Sequence, residues 1–568
     1  MMIVLVLLVA LAAWRLVDVQ ILGADRYVEW GADQRIQQIE IAGARGSILD
    51  RDRNALVLSD DRPTIWVDPT FVTDVEGSTT ALHELLGLDA DELRAALSGD
   101  GQHAYLVRQA DAGVGEAVSA LGLDGVFVTY EPARLRPNGP DFARGLLGRV
   151  DVDHAATSGI ELFYDDLLAG VGGWETYEQG RDGTLVPAGS SSGEAATRGE
   201  DLVLTIHRET QFLAEQILIE QVEATSAKGG YAVIMRTGTG EVLAAASVTL
   251  DRDTGIARPS AYNGAYLDTY EPGSVNKVFT IAAAVEAGVV ETDTEFEVSR
   301  TYEFADKIFR EPFSTGFGEL TVSQILSKSS NIGTIRIAEL VGKDRLYEFL
   351  VSVGMGRRTG KDGSSTVPDE SAGILVPSSG WFGTELAAIS FGQGLALTPV
   401  QVAGAFNAIA NDGLYVRPTL VRGVVDDGGV MHRWPIDAGT RAMSSETADT
   451  VTAMLTEVVA EGTGGLAAVD GYTVAGKTGT AQKPFEGGYS ETDYMSTFAG
   501  FVPASDPELT IVVILDTAET YLAGVVAAPL FSELAEYALR TLRVPPTEPV
   551  LSASASAEEP LESADAAD

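Results

Sequence analysis

The chain has 568 residues and a mass of 59.8 kDa, with 45% hydrophobic and 21% charged residues, so it can bury a large core over several domains and is not a disordered polymer. Its 82 acidic against 39 basic residues give a net charge of −43, a surface that repels phosphate backbones and argues against nucleic acid as a main partner. Cysteine is absent and the five histidines (His83, His103, His154, His207, His432) have no paired spacing, which excludes thiolate catalysis, disulfides and Cys-ligated metals and gives no sign of a His-paired zinc site.

Residues 1–14 form an uncharged apolar run broken by Arg15 and Asp18. The run is short for a spanning helix, and Ala10-Leu11-Ala12 could be read as a signal-peptide cleavage site, but the positive n-region of such peptides is missing. A retained anchor over residues 1–22 is the favoured reading, and either reading exports the remainder of the chain. From 34 to 195, short alternating stretches (IQQIEIAG, ALVLSDD, PTIWVDP, GVFVTYE) surround one helical pattern, ALHELLGLDADELRAALSG, and predict a strand-rich module. The Gly- and Ser-rich residues 186–201 read as a linker or surface loop. Beyond it, a helix over ETQFLAEQILIEQVEATSA closed by KGG, a hairpin around Arg236-Thr237-Gly238-Thr239-Gly240 and further helices predict one α+β domain over 200–543. Residues 544–568, rich in acids and free of basic residues, predict a disordered tail.

Basic positions are filled by 31 Arg and only eight Lys, the first being Lys228. Since only lysine can lose its proton near neutral pH when desolvated, the lysines are where proton chemistry is sought first. In TYEPGSVNKVFTIAAAVEAGVV, Pro272 and Gly273 break the chain before a buried helix. Ser274 therefore falls at the helix's first turn, and Lys277 one turn on, on the same face, with its amine in reach of the Ser hydroxyl. A desolvated, neutral lysine can activate a serine nucleophile. In SQILSKSSNIGTIRIAELVG, Ser329 can pass a proton and the Asn331 amide can hold a substrate amide. In GYTVAGKTGTAQK, a β-branched stretch leads into Lys477-Thr478-Gly479-Thr480. A Lys and a Thr side chain on one face of a strand, with Gly479 permitting close approach, would form a carboxylate-binding edge. Each motif alone is more readily a cap or a turn, and Arg236-Thr237-Gly238 and Arg358-Thr359-Gly360 are near-matches to the third. Their order within one domain, S-x-x-K, S-x-N, K-T-G, is what points to a penicillin-recognising serine enzyme.

On these motifs the chain resembles the class B penicillin-binding proteins, membrane-anchored peptidoglycan D,D-transpeptidases. ARGSILDRDRNALVLS resembles the R-G-x-I-x-D-R-x-G-x-x-L-A opening of the family's N-terminal module, through Arg45, Gly46, Ile48, Asp50, Arg51 and Leu56. Two positions depart, Arg53 for Gly and Val57 for Ala, which puts the turn there in question. Residues 158–170, 391–413 and 523–531 also match. The resemblance implies a penicillin-binding transpeptidase fold, an antiparallel sheet flanked by helices, with a strand-rich N-terminal pedestal module and a transmembrane anchor. It implies that Ser274 is acylated by the penultimate D-Ala of a stem peptide while Lys277 takes its proton. Ser329 would pass a proton to the leaving amine, Asn331 would hold the peptide, Lys477 would support the electrostatics, and Thr478 and Thr480 beside Gly479 would grip the terminal carboxylate. Backbone N–H groups of Ser274 and Thr480 would form the oxyanion hole. No metal or organic cofactor is implied. The implied partners are stem peptides, β-lactams, and a lipid II polymerase of the shape, elongation, division and sporulation family with other divisome membrane proteins. The location implied is the cell membrane, with the catalytic domain on the extracytoplasmic side. RLVDVQILGADRY and the A-x-R-G opening look more like the septal branch. An elongation enzyme, a β-lactamase or D,D-carboxypeptidase, and an inactive β-lactam sensor or scaffold are the alternatives.

Overall fold

The structure is a computed structural model that describes residues 2–23, 36–41, 43–178, 192–311, 317–426 and 428–548. Helix α1 (Met2–Val17) runs on through a π-helical turn to Leu22, and none of it is buried. The two charges that cut the apolar run short in sequence pair with each other, Arg15 donating to Asp18 at 2.7 Å. The resulting 21-residue helix has a mean hydropathy of 2.4, long and apolar enough to cross a membrane. It fits a single-pass anchor.

The N-terminal module is built on strands β1 (Ile48–Leu49), β2 (Ala55–Val67), β3 (Ala104–Val107) and β4 (Val126–Leu135), with β2 pairing antiparallel to the other three. The single helical pattern expected after β2 is two helices, Val75–Leu86 and Ala90–Leu97. Gly87 ends the first in the left-handed region at φ +67°, and Asp89 caps the second by accepting from the amides of Asp91 and Glu92. Their apolar sides, Leu82, Leu93 and Leu97, pack on Ile65 and Val67 of β2.

Two sequence motifs of this module meet in a buried ion cluster. The Arg45 guanidinium donates to the Glu161 carboxylate at 2.7 Å and to the Glu161 carbonyl at 2.8 Å, while Arg134 reaches the other Glu161 oxygen at 2.7 Å. The turn put in question by Arg53 is formed. Arg53 itself takes the left-handed conformation, at φ +67°, and Asp50 holds the turn by accepting from the amides of Asp52 and Asn54 at 2.8 and 2.7 Å.

Strand β5 (Asp201–Leu204) pairs parallel with β1 and antiparallel with Val421–Val425, which pairs in turn with Met431–Arg433. A seven-stranded sheet thus runs from the N-terminal module into the second half of the chain. Of the expected linker, residues 186–191 lie outside the described residues and Ser192–Glu194 is a strand against Gly173–Glu178. The break near 195–200 divides the chain but not the core: Ile48, Leu56, Leu146 and Leu168 belong to one buried cluster with Val275, Phe279 and Ile332.

The second half is organised by six antiparallel strands. Helix α2 (Arg208–Ala224), β6 (Gly229–Arg236), β7 (Val242–Asp251) and β8 (Ile256–Pro259) come first, then helices α3 (Lys277–Glu286), α4 (Asn331–Val341), α5 (Pro399–Ala410) and α6 (Ser445–Ala460). Strands β9 (Ala475–Phe485), β10 (Gly488–Val502) and β11 (Leu509–Asp516) and helix α7 (Ala523–Thr541) complete it. The sheet order is β8-β7-β6-β11-β10-β9, so β9 is an edge. Helix α2 stops before the expected KGG, because Gly229 and Gly230 are already in β6, where a Cβ on Gly229 would lie 2.4 Å from the Val248 carbonyl oxygen. Helices α2 and α7 cover one face, burying Leu218, Phe531 and Leu534. Helices α3 and α5 fill the other, the Phe279 ring meeting Phe406 edge-on at 5.4 Å. The first residues of the expected tail are held to the domain: the Tyr472 hydroxyl donates to the Val544 carbonyl at 2.6 Å, and the amides of Thr547 and Glu548 donate to the Gly471 carbonyl. Residues 549–568 of the expected tail lie outside the described residues.

Candidate active site

The nucleophile candidate sits where the chain enters a buried helix. Gly273–Asn276 is a 3-10 turn that leads directly into α3. Gly273 has φ +57° and donates to the Gly392 carbonyl, the Asn276 amide donates to the Ile389 carbonyl at 2.6 Å, and the Thr280 hydroxyl to the Ser390 carbonyl at 2.7 Å. These bonds tie the helix mouth to residues 389–392. Ser274 is partly exposed, whereas Lys277, one turn on, is fully buried.

Ser329 comes from the turn between Val322–Ser327 and α4. It adopts φ +59°, a conformation that disfavours a residue with a Cβ and that is retained only where the surroundings enforce it. The Lys277 amine donates to the Ser329 carbonyl at 2.5 Å and reaches its hydroxyl at 3.2 Å, while the Lys477 amine reaches the same hydroxyl at 3.2 Å. Two amines therefore converge on one alcohol. The expected Lys277–Ser274 hydrogen bond is not made among the described residues; the Lys277 amine is bonded to Ser329 instead. Hydrogen bonds of this kind commonly tighten only when substrate arrives.

Lys477, Thr478, Gly479 and Thr480 lie on edge strand β9. The expectation of Lys and Thr on one face is corrected by strand alternation. Thr478 and Thr480 line the cleft, while Lys477 is fully buried and brings its amine to the Thr478 carbonyl and hydroxyl at 3.1 and 3.3 Å. A Cβ on Gly479 would lie 2.6 Å from Val275 and 2.7 Å from the Pro272 carbonyl oxygen, so glycine lets the strand pass against the Ser274 turn. The cleft, about 730 Å³, is lined by Ser274, Ser329, Asn331, Thr478 and Thr480 together. Its far wall is apolar, with the Tyr494 and Tyr521 rings stacked at 4.4 Å.

Burial sets the electrostatics. Desolvation pushes the Lys277 amine well below the ordinary lysine range, the nearby Lys477 adds to this, and Glu311 opposes it. Burial pushes Lys477 down to about 7. Near neutral pH the pair can therefore offer an amine free to accept a proton.

Two participants escaped the sequence reading. Glu311 accepts from the Ser330 hydroxyl at 2.7 Å and from the amides of Asn331 and Ile332 at 3.1 and 2.8 Å, so it grips the turn that carries Ser329 and the first turn of α4. Acids favour a helix N-terminus, yet Glu311 stands 20 residues before Asn331 and no local spacing links them. Thr463, on the loop after α6, shares a hydrogen bond with Thr478 at 2.7 Å and lines the cleft.

A partly exposed serine at a helix mouth, buried amines behind it and a hydroxyl-bearing strand edge lining the same cleft are the groups that serine acyl transfer needs, with a lysine able to serve as base in place of histidine. Comparison with known proteins gives its family. Residues 230–536 match the penicillin binding protein transpeptidase domain, and residues 40–204 match the penicillin-binding protein dimerisation domain. The chain belongs to the penicillin-binding protein transpeptidase family. It is 32% identical to penicillin-binding protein PbpB of Mycolicibacterium smegmatis over 88% of this chain and 83% of that one. It is 30% identical to peptidoglycan D,D-transpeptidase FtsI of Escherichia coli K12, over 95% and 91%. The crystal structure of penicillin binding protein 3 from Mycobacterium tuberculosis complexed with aztreonam superposes with a TM-score of 0.69 at 28% identity, covering 90% of this chain and 99% of that one.

Proposed function

We propose that the protein is a peptidoglycan D,D-transpeptidase of the septal branch that cross-links stem peptides through an acyl-enzyme on Ser274. The observation that carries this reading is the convergence of two desolvated amines on Ser329 at the back of the cleft that holds Ser274. The Ser274 oxygen attacks the carbonyl of the penultimate D-Ala, and its proton passes to the neutral Lys277 amine. The C–N bond then breaks, and the terminal D-Ala leaves after its nitrogen takes a proton through Ser329, whose hydroxyl both lysines contact. Asn331 holds the donor backbone, and Thr478 and Thr480 take the terminal carboxylate. The amine of a second stem peptide attacks the ester, forms the cross-link and returns the proton to Ser274. A β-lactam enters the same cleft, its ring amide opens on Ser274, and the acyl group stays.

Intact mass after penicillin exposure tests the first half. The parent gains one adduct and Ser274→Ala gains none; a parent without adduct, under conditions that label a control enzyme, removes the assignment. With lipid-linked substrate and a polymerase, dimeric muropeptides mark a transpeptidase, and free D-Ala without dimers marks a carboxypeptidase.

In this reading α1 anchors the protein with its catalytic half outside the cytoplasm, and α1 with the N-terminal module would meet a lipid II polymerase of the shape, elongation, division and sporulation family; the apolar 21-residue helix supports the anchor. A fluorescent fusion is expected at the septum, and sidewall signal without septal enrichment would count against the division role.

A further inference from the structure

A second cavity, of about 460 Å³, opens where the two halves of the chain meet, walled by Phe163 and Tyr164 of the N-terminal module, by Glu241, and by residues 359–361, 364–366, 417–422 and 433–437. None of the cleft residues named above lines it. Its charge runs against the rest of the molecule. Acids outnumber bases 82 to 39 along the chain, yet this wall carries four bases (Lys361, Arg417, Arg422, Arg433) and two acids (Glu241, Asp437). Both acids are engaged: Asp437 accepts from Arg417 at 2.8 Å, and Glu241 pairs with Arg422 at 3.0 Å and with Arg51 at 3.3 Å. Lys361 and Arg433 are exposed and have no ion pair among the described residues. The wall therefore keeps two cationic groups outside any ion pair in a strongly anionic protein, although Asp362 follows Lys361 in the same loop.

The loop that presents Lys361 is preorganised. It contains the Arg358-Thr359-Gly360 near-match that the catalytic site does not use, and it winds around the buried Glu370 carboxylate. That carboxylate accepts from the Thr359 amide and hydroxyl and from the Thr366 amide, each at 2.7 Å. The same cavity is lined by aromatic rings, with the Tyr164 ring 6.0 Å from Trp434 and 5.0 Å from Phe163. Cations beside aromatic faces suit a ligand that combines an anionic group with a ring of C–H bonds, that is, an acidic saccharide.

Resting on the peptidoglycan reading, we propose that this junction is a second binding site, for an anionic saccharide of the cell wall. Its acid group lies on Lys361 and Arg433 and its sugar face on Trp434 and Tyr164. A bound chain there touches both halves of the molecule at once.

The test uses the full-length protein with Ser274 already acylated by penicillin, so that the catalytic cleft is blocked. N-acetylmuramyl-L-alanyl-D-isoglutamine, a carboxylate probe, and N-acetylglucosamine 1-phosphate, a phosphate probe, are titrated while tryptophan fluorescence is followed, with Trp434→Phe identifying the reporting ring. Saturable quenching that Trp434→Phe abolishes is expected. The Lys361→Ala/Arg433→Ala pair should weaken Kd about tenfold or more while leaving the thermal unfolding profile in place. Preference for the carboxylate probe makes peptidoglycan the source of the ligand, and preference for the phosphate probe makes it a phosphate-bearing wall polymer. The proposal is overturned if neither probe saturates up to millimolar concentration, or if the paired variant binds as tightly as the parent. Failure of penicillin to form the Ser274 adduct sinks the catalytic reading instead, and intact mass shows this before any titration.

Discussion

Ser329 is the residue on which the proposed reaction turns, although Ser274 would carry the acyl group. Its hydroxyl is contacted by Lys277 and Lys477, its carbonyl fixes Lys277, and its left-handed backbone is held by neighbours rather than by its own preference. Glu311 is the chief of those neighbours. Gln at 311 keeps one acceptor oxygen but presents an N–H toward the Asn331 amide, so the turn loosens; displacements of about 1 Å can cost roughly a hundredfold in rate. Glu311→Gln is therefore expected to slow penicillin acylation by about ten- to a hundredfold. The charge effect has its own sign. The Glu311 anion favours the protonated form of Lys277, whose neutral form is the proposed base. Acylation falls as pH drops and Lys277 takes up a proton, and removing the anion moves that acid limb to lower pH. A rate–pH profile that only drops in height, with its limb in place, would leave Glu311 with a scaffolding role alone. The three motifs were legible because serine and lysine one helical turn apart, or four residues along a strand, carry their geometry in their spacing. Glu311 was not, since its link to Asn331 exists only in the folded chain.

At the scale of elements, helix α2 joins the halves through one carboxyl group. Glu215 is buried, accepts from the Gln211 side chain at 2.8 Å and caps the Ala143 amide of the N-terminal module at 3.0 Å, while Gln211 accepts from the Ala245 amide of β7. Burial pushes Glu215 up to about 8. The folded carboxyl thus keeps a proton that an unfolded one loses near 4.5, so its contribution to stability is full below about 4.5 and is lost as pH rises through about 8. Glu215→Gln keeps the acceptor oxygen and cannot ionise. Its melting temperature should match the parent's in mild acid and exceed it increasingly toward pH 8, by the equivalent of a few kcal/mol at most. Parallel melting curves for parent and variant across that range would mean that Glu215 is not held neutral. Strand β9 shows how far pattern reading carries at this scale. The sequence predicted the strand and its glycine, but which side chain faces the cleft depends on the sheet's placement against α3, and Lys477 proved to lie beneath it.

At the scale of the molecule, the two halves expected from the sequence share one sheet and one buried core. Composition shifts mark where a chain changes rhythm, and they do not mark which strands pair. Here β5 is sandwiched between β1 from one half and Val421–Val425 from the other, and Ile48, Leu56, Leu146, Leu147 and Leu168 are buried in the same core as α3. A chain cut to residues 200–548 exposes those contacts, each buried side chain being worth about 1.5–3 kcal/mol, and leaves one edge of β5 unpaired and the Glu215 carboxyl without its partner amide. It is expected to be insoluble or to take up penicillin at well below one equivalent. Removing residues 1–23 instead deletes a helix with no buried residue, so that shortened protein should stay folded and accept a full equivalent at Ser274. Both are read by soluble yield and intact mass after penicillin. A 200–548 chain that labels as completely as the parent would show that the catalytic half carries its own core, and that the strands it shares with the N-terminal module contribute little to holding Ser274 against Ser329.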